Sequence, residues 1–83
     1  MNTKLYIIRD ELSGAFGVPQ VFPNEDFAKR WFRDFIKADR LRNDNAGDFS
    51  LWFAGDYDTK EGQIKAPKIP QLIERGLSHE LQN

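Results

Sequence analysis

The chain contains no cysteine, and histidine occurs once, at His79. The first absence excludes disulfide frameworks, thiolate nucleophiles and cysteine-ligated zinc sites. No recognisable motif places a nucleophile beside the histidine or a base beside a serine. The sequence therefore predicts a protein that is not an enzyme, with no catalytic residues and no cofactor.

Long apolar runs and net positive charge are also missing. No stretch approaches the roughly 18 apolar residues of a membrane span, and the N-terminal segment has no uncharged signal-type run, so we expect a soluble cytoplasmic protein with no membrane contact. The net charge is -1 and the isoelectric point is about 5.7, so no overall positive field attracts nucleic acid. Any DNA binding must come from a local patch of cations.

The residues that are present include 13% aromatics in a chain of 83, which predicts one small folded domain with a modest core. Lys4 to Asp10 is rich in β-forming residues and predicts a first strand. A turn with Gly14 and Gly17 follows, and then a short strand from Gln20 to Phe22.

The segment after Pro23 carries the strongest local signal. Asn24 is a suitable N-cap, and negative charge follows it in the first turn. Apolar residues then recur at helical spacing, namely Phe27, Trp31, Phe32, Phe35 and Ile36. The pattern predicts an amphipathic helix from Glu25 to Ala38.

Turn composition over residues 39–48 leads to a strand beginning at Phe49. A hairpin loop with Gly62 connects it to a strand from Gln63 to Lys65. Pro67 and Pro70 then end this strand. Residues 71–76 are predicted to form a short helix, and the residues after it are predicted to fray. The predicted fold class is α+β, a small antiparallel sheet with one main helix (β-β-α-β-β) over residues 1–66 and a C-terminal helix or arm over 67–83.

A sheet covered by one helix leaves its second face without cover. We expect Phe49, Leu51 and Phe53 to face the helix, whereas Trp52 lies on the open side together with Tyr6 and Ile8 as an interface. The alternative is that the C-terminal arm folds back over this side through Leu72, Ile73 and Leu77.

Basic residues occupy the helix opposite its apolar stripe and continue beyond its end. Together with two exposed aromatic rings they form the candidate nucleic-acid site, which comprises Lys29, Arg30, Arg33, Lys37, Arg40, Trp52 and Tyr57. The competing interpretation is a solvated helix face balanced by its own carboxylates, with the rings in core or dimer contacts.

The segment "GDYDTKEG" also admits a metal interpretation through Asp56, Asp58 and Glu61. A calcium loop of the EF-hand type requires an oxygen ligand where Lys60 stands and glycine where Glu61 stands, so that template fails. The segment is better interpreted as a hairpin turn, and no metal site is predicted.

Three segments in this order, "KLYIIRDELSGAFGVPQVF", "FAKRWF" and "DFSLWFAGDYDTKEGQI", carry a family resemblance over about Lys4 to Ile64. They resemble the small non-structural protein encoded by the fifth open reading frame of gokushovirus-type microviruses, which are phages with single-stranded DNA. The resemblance implies an accessory protein of genome replication in the bacterial host cytoplasm, acting at the switch to single-stranded DNA synthesis.

Two hypotheses follow from these observations. The first is a replication accessory protein, a homodimer or small oligomer, that binds single-stranded DNA weakly. The second is a protein-interaction module that engages the phage initiation enzyme or a host replication factor without contacting DNA.

Overall fold

The structure, a computed structural model, describes residues 2–79 of the chain. A single antiparallel sheet with one main helix and one short helix confirms the predicted α+β class. The elements are β1 (Asn2–Asp10), β2 (Ala15–Phe16), β3 (Gln20–Phe22), α1 (Glu25–Lys37), α2 (Arg40–Asp44), β4 (Phe49–Asp58), β5 (Gln63–Lys65) and β6 (Gln71–Arg75). In the described part of the chain, neither helix is long and apolar enough to cross a membrane.

The two long strands β1 and β4 form the centre of the sheet and pair along their whole length. β2 and β3 both pair with β1, whereas β5 and β6 both pair with β4, so each long strand has two short strands along its outer edge. A bulge interrupts the central pairing, because Leu5 lies opposite Gly55 and Tyr6 lies opposite Phe53. Gly55 adopts a φ of 152° there, which few other residues tolerate.

Helix α1 begins and ends close to the predicted bounds. The Asn24 side-chain oxygen accepts a hydrogen bond of 3.1 Å from the Phe27 backbone N–H, which confirms the predicted cap. The buried positions Ala28, Phe32 and Ile36 are spaced by four, and they pack on one side of the sheet in a cluster that includes Tyr6 and Leu51. Phe27 was expected in the stripe, but it is 51% exposed because it lies off this row.

The turn predicted for residues 39–48 contains helix α2 and a single 3₁₀ turn, Ala46–Asp48. The Asp39 carboxylate caps α2 by accepting from the backbone N–H groups of Leu41 at 2.8 Å and Arg42 at 3.2 Å. The turn-like composition therefore reflected a helix start that we did not predict.

The segment expected to form a C-terminal helix is strand β6, so that prediction is wrong. Trp52 of β4 lies opposite Leu72, and Ile73 packs against the buried core. Pairing with the open edge of β4 satisfies more of the backbone hydrogen-bonding groups of this segment than one isolated helical turn would. The segment therefore forms a strand and not the predicted helix. The predicted arm therefore contributes a strand to the sheet.

The chain after β6 is fastened to α2 by the buried residue Asn43. Its side chain donates to the His79 carbonyl oxygen and accepts from the His79 N–H, both at 2.7 Å. The Ser78 hydroxyl donates to the Asn43 carbonyl oxygen at 2.8 Å. Residues 78 and 79 are thus held, and the remainder of the end predicted to fray lies outside the described residues.

Candidate nucleic-acid interface

The register of the central strands assigns side chains to the two sides of the sheet. Ile7 lies opposite Trp52 and Arg9 lies opposite Ser50, and directly opposed residues of an antiparallel pair share a side. Tyr6 and Leu51 occupy the other side, beneath α1. We call the side away from α1 the open face; it comprises Leu5, Ile7, Arg9, Phe16, Val21, Ser50, Trp52, Tyr57, Ile64, Leu72 and Arg75.

Nothing in residues 2–79 folds over the open face. β6 extends the sheet edge and leaves Leu72 half exposed, while Leu77 lies beside Phe32 and Ile36 on the helix side. The alternative in which the C-terminal arm covers this face is therefore wrong. The prediction of an uncovered sheet face holds for the described residues.

Two aromatic rings and one guanidinium group form the centre of the open face. The rings of Phe16 and Trp52 meet edge to face, with centroids 5.6 Å apart. The guanidinium carbon of Arg9 lies 5.3 Å from the Phe16 centroid and 6.0 Å from the Trp52 centroid, within the range of a cation–π contact. The Arg9 Nε is buried and has no hydrogen-bond partner among the described residues.

A short hydrogen-bond chain fixes the indole of Trp52. Its Nε1–H donates to the Ser50 hydroxyl at 2.7 Å, and that hydroxyl donates to Glu11 Oε1 at 2.6 Å. The pKa of Glu11 is lowered, first by the Ser50 hydrogen bond and then by the positive charges of Arg9 and Arg75. The ring is thereby held in one orientation on the sheet.

The charge on this face is sparse and mainly positive. Arg9 forms an ion pair with Glu11 at 3.3 Å, whereas Arg75 lies near the same carboxylate and donates to the Gly47 carbonyl oxygen at 3.0 Å. Among residues 2–79, the two arginines thus face one carboxylate on a mostly apolar surface.

The cations of the predicted helix stripe lie on the opposite layer, and carboxylates neutralise most of them. Lys29 pairs with Glu25 at 3.4 Å and Lys37 with Asp34 at 4.0 Å. Arg33 forms a two-pronged pair with Glu74 of β6 at 2.7 and 3.0 Å, which raises the pKa of its guanidinium.

The remaining two cations of the stripe differ from these. Arg30 stands 5.9 Å from the Phe27 ring centroid, and Arg40 is exposed with no ion pair in the part of the chain that the structure describes. The structure therefore does not bring all the predicted site residues together. The cations lie on the helices, whereas Trp52 and Tyr57 lie across the sheet on the open face.

Two of the three predicted interface residues are also displaced. Tyr6 is 1% exposed in the core under α1, and burial raises the pKa of its hydroxyl. Ile8 packs against the same cluster. Both lie on the helix side of the sheet together with Leu51, so their predicted place beside Trp52 is wrong. The residue opposite Trp52 is Ile7.

Sequence reasoning missed Arg9 and Phe16. The available signal was a cation ending an apolar strand and an aromatic residue just after the Gly14 turn. Only the register of β1 against β2 and β4 brings them to Trp52.

The acidic segment at the β4–β5 connection forms a turn. Asp58 Oδ1 accepts from the backbone N–H groups of Glu61 at 3.2 Å and Lys60 at 2.9 Å, which lowers the pKa of that carboxyl. Gly62 adopts a φ of 69°, which confirms the predicted hairpin. No group of three or more potential metal-ligating side chains occurs within residues 2–79.

Comparison with known proteins gives one clear result. No curated protein and no solved structure matches the chain significantly. Residues 3–79 match the family described as Phage ORF5 protein, a range that includes β1 from its second residue, the whole of β4, both helices and β6. The chain therefore belongs to the phage ORF5 protein family.

Proposed function

We propose that this phage protein is a non-enzymatic, non-structural accessory of genome replication that binds single-stranded DNA weakly through its open face. Its place of action is the host cytoplasm, at the switch to single-stranded synthesis in a phage of the gokushovirus type. The observation that carries the DNA-binding proposal is the cluster of Arg9, Phe16 and Trp52 on an uncovered sheet face.

A sheet surface with exposed rings suits unpaired bases, because every base offers a π-face and a ring can stack on it without reading sequence. Phe16 is 44% exposed and therefore has surface available to a base. Tyr57 lies further along β4 on the same face, opposite Thr3. Arg9 and Arg75 supply positive charge for phosphates beside these rings.

The sparse charge explains why binding should be weak and only mildly dependent on salt. For single strands, the logarithm of the affinity falls with the logarithm of salt concentration by about 0.7 for each phosphate contact. Two arginines on the open face predict a slope of about -1.4. The five-cation helix stripe would predict about -3.5 if all five residues contacted phosphates.

The experiment is fluorescence anisotropy of labelled single-stranded and duplex oligonucleotides over a salt series. We expect single strands to bind better than duplex, with the shallow slope. A slope near the larger value would assign the contact to the helix cations, and no binding at low salt would refute the proposal.

Two charge reversals on opposite layers provide a matched comparison. Arg75→Glu and Arg30→Glu each change the net charge by the same amount at an exposed arginine. We expect the first to weaken single-strand binding and the second to leave it nearly unchanged. Phe16→Leu retains apolar bulk without the ring, and losing one stacked base should reduce affinity by about 5- to 150-fold.

A second candidate function is supported by the aliphatic share of the same face. Leu5, Val21, Ile64 and Leu72 cannot stack on bases, and such a surface suits a protein contact. The partner would be a second copy, giving a homodimer, or the phage initiation enzyme or a host replication factor. Leu72→Gln should then dissociate a dimer in sedimentation experiments, while under the DNA-binding proposal the mass stays unchanged.

A further inference from the structure

A second apolar surface lies on the helix side of the sheet, at the end where β1 turns into β2. Two adjoining cavities of about 460 and 380 Å³ share Asp10 and Phe49 in their walls. The first runs between α1 and the β1–β2 turn, and the second continues between that turn and α2. We call the two together the end groove.

The floor and rim of the end groove are apolar. Half-buried side chains of the core margin form the floor, namely Ile8, Trp31, Phe35 and Phe49. At the rim, Leu12 is 80% exposed, Val18 is 76% exposed and Leu41 is 73% exposed. Large side chains this exposed around one depression are typical of an interaction site.

Carboxylates surround this apolar surface. Asp10 and Asp39 each use Oδ1 to cap a turn, accepting from the Leu12 and Leu41 N–H groups at 2.9 and 2.8 Å. Their Oδ2 atoms accept no hydrogen bond within residues 2–79, and neither carboxylate oxygen of Asp48 does so there.

The positive charge in the end groove is already engaged. The guanidinium of Arg42 stacks 4.2 Å from the Phe35 ring centroid, and its Nε donates to the Phe35 carbonyl oxygen at 2.7 Å. It therefore opposes the three carboxylates only in part. An occupant of the end groove must accept apolar contact and supply cations.

We propose that the end groove binds a short peptide segment of a partner protein in which apolar side chains alternate with lysine or arginine. The apolar groups occupy the two cavities, and the cations pair with Asp10, Asp39 and Asp48. A phosphate backbone does not fit, because the carboxylates would repel it. Phe16 also borders the first cavity, so the end groove adjoins the open face, but peptide binding in the end groove does not depend on DNA binding there.

The test uses two synthetic fluorescein-labelled peptides. One alternates leucine and tryptophan with lysine, and the other has every lysine replaced by glutamate. We expect the full chain to bind the lysine peptide, with affinity that falls as salt rises, and to bind the glutamate peptide far more weakly. Equal binding of both peptides, or of neither, would overturn the proposal.

Two exposed residues provide matched variants. Leu41 lines the end groove and is 73% exposed, while Ile69 lies outside both cavities and is 74% exposed. Leu41→Gln should weaken binding of the lysine peptide by about tenfold, as loss of an interface anchor does, and Ile69→Gln should not. Asp48→Asn should weaken binding and reduce its salt dependence.

Circular dichroism should show that these variants keep the native fold, since each substitution is at the surface. Equal affinity of Leu41→Gln and Ile69→Gln for the lysine peptide would refute the site. A change of solution mass in Leu41→Gln would refute it as well, by assigning the end groove to a second copy. Loss of single-stranded DNA binding in that variant alone would instead place nucleic acid there.

Discussion

Gly76 holds strand β6 against the core, and adding one methyl group there should be severely destabilising. A Cβ at this position would fall well inside van der Waals contact with the Ala46 carbonyl oxygen, 2.8 Å from its carbonyl carbon and 3.2 Å from the Phe49 carbonyl oxygen. All three atoms belong to the backbone, so no side-chain rotation relieves the overlap. The Gly76 N–H also donates to that Phe49 oxygen at 2.9 Å, which a displaced chain would lose.

Overpacking of this kind typically costs about 1–3 kcal/mol, and a contact against rigid backbone belongs at the upper end. For a domain of this size each kcal/mol lowers the melting temperature by about 4–8 °C, so Gly76→Ala should lower it by about 12–24 °C. Thermal unfolding followed by circular dichroism, with urea unfolding at room temperature, measures the change.

Gly47→Ala is the control, because a Cβ there meets nothing within 4 Å and its φ is not positive. It should be neutral or stabilising by about 0.4–1 kcal/mol through the unfolded chain. Equal melting temperatures for the two variants would refute the close approach of β6 to the Ala46 turn. Since β6 carries Leu72 and Arg75, Gly76→Ala should also weaken binding at the open face.

Three further outcomes are expected. Ser50→Ala removes the acceptor of the Trp52 N–H and should lower the free energy of unfolding by about 1 kcal/mol in urea titrations, whereas an unchanged midpoint would contradict the hydrogen-bond chain. The pKa of Glu11 is lowered from its ordinary value of 4.5 in the folded protein, so the stability that its carboxylate contributes is complete above that value and is lost as pH falls through the folded pKa; Glu11→Gln should flatten the fall in stability below about pH 4.5. Leu51→Ala, at a fully buried position, should cost about 2–5 kcal/mol in the same titrations, while Leu41→Ala at the exposed rim should be nearly neutral.

Local signals predicted several elements correctly because their causes lie within a few residues. The cap at Asn24, the acidic first turn and the apolar spacing define α1 without reference to the rest of the chain. Gly14 and Gly62 adopt the positive φ values that their turns require. The strand that begins at Phe49 and the hairpin that follows it are likewise predicted by signals within a few residues.

Errors arose where a distant partner decides the conformation. Residues 71–75 have no strong preference of their own, and the free edge of β4 makes them a strand. Tyr6 and Ile8 were assigned to the wrong side because each strand is apolar at both parities, so alternation alone could not fix the register.

The α+β composition, the position of the main helix, the turns at Gly14 and Gly62 and the membership of the phage ORF5 family can be read from the residues alone, since these depend on short-range chemistry and on residue order. Which side chains meet depends on how the strands pair and on where the helix packs. The fold pairs Arg33 of the helix with the distant carboxylate of Glu74, and it brings Arg9, Phe16 and Trp52 together on the opposite side of the sheet. The physical reason is that each strand offers two faces, and only the pairing of β1 with β4 selects the one that α1 buries.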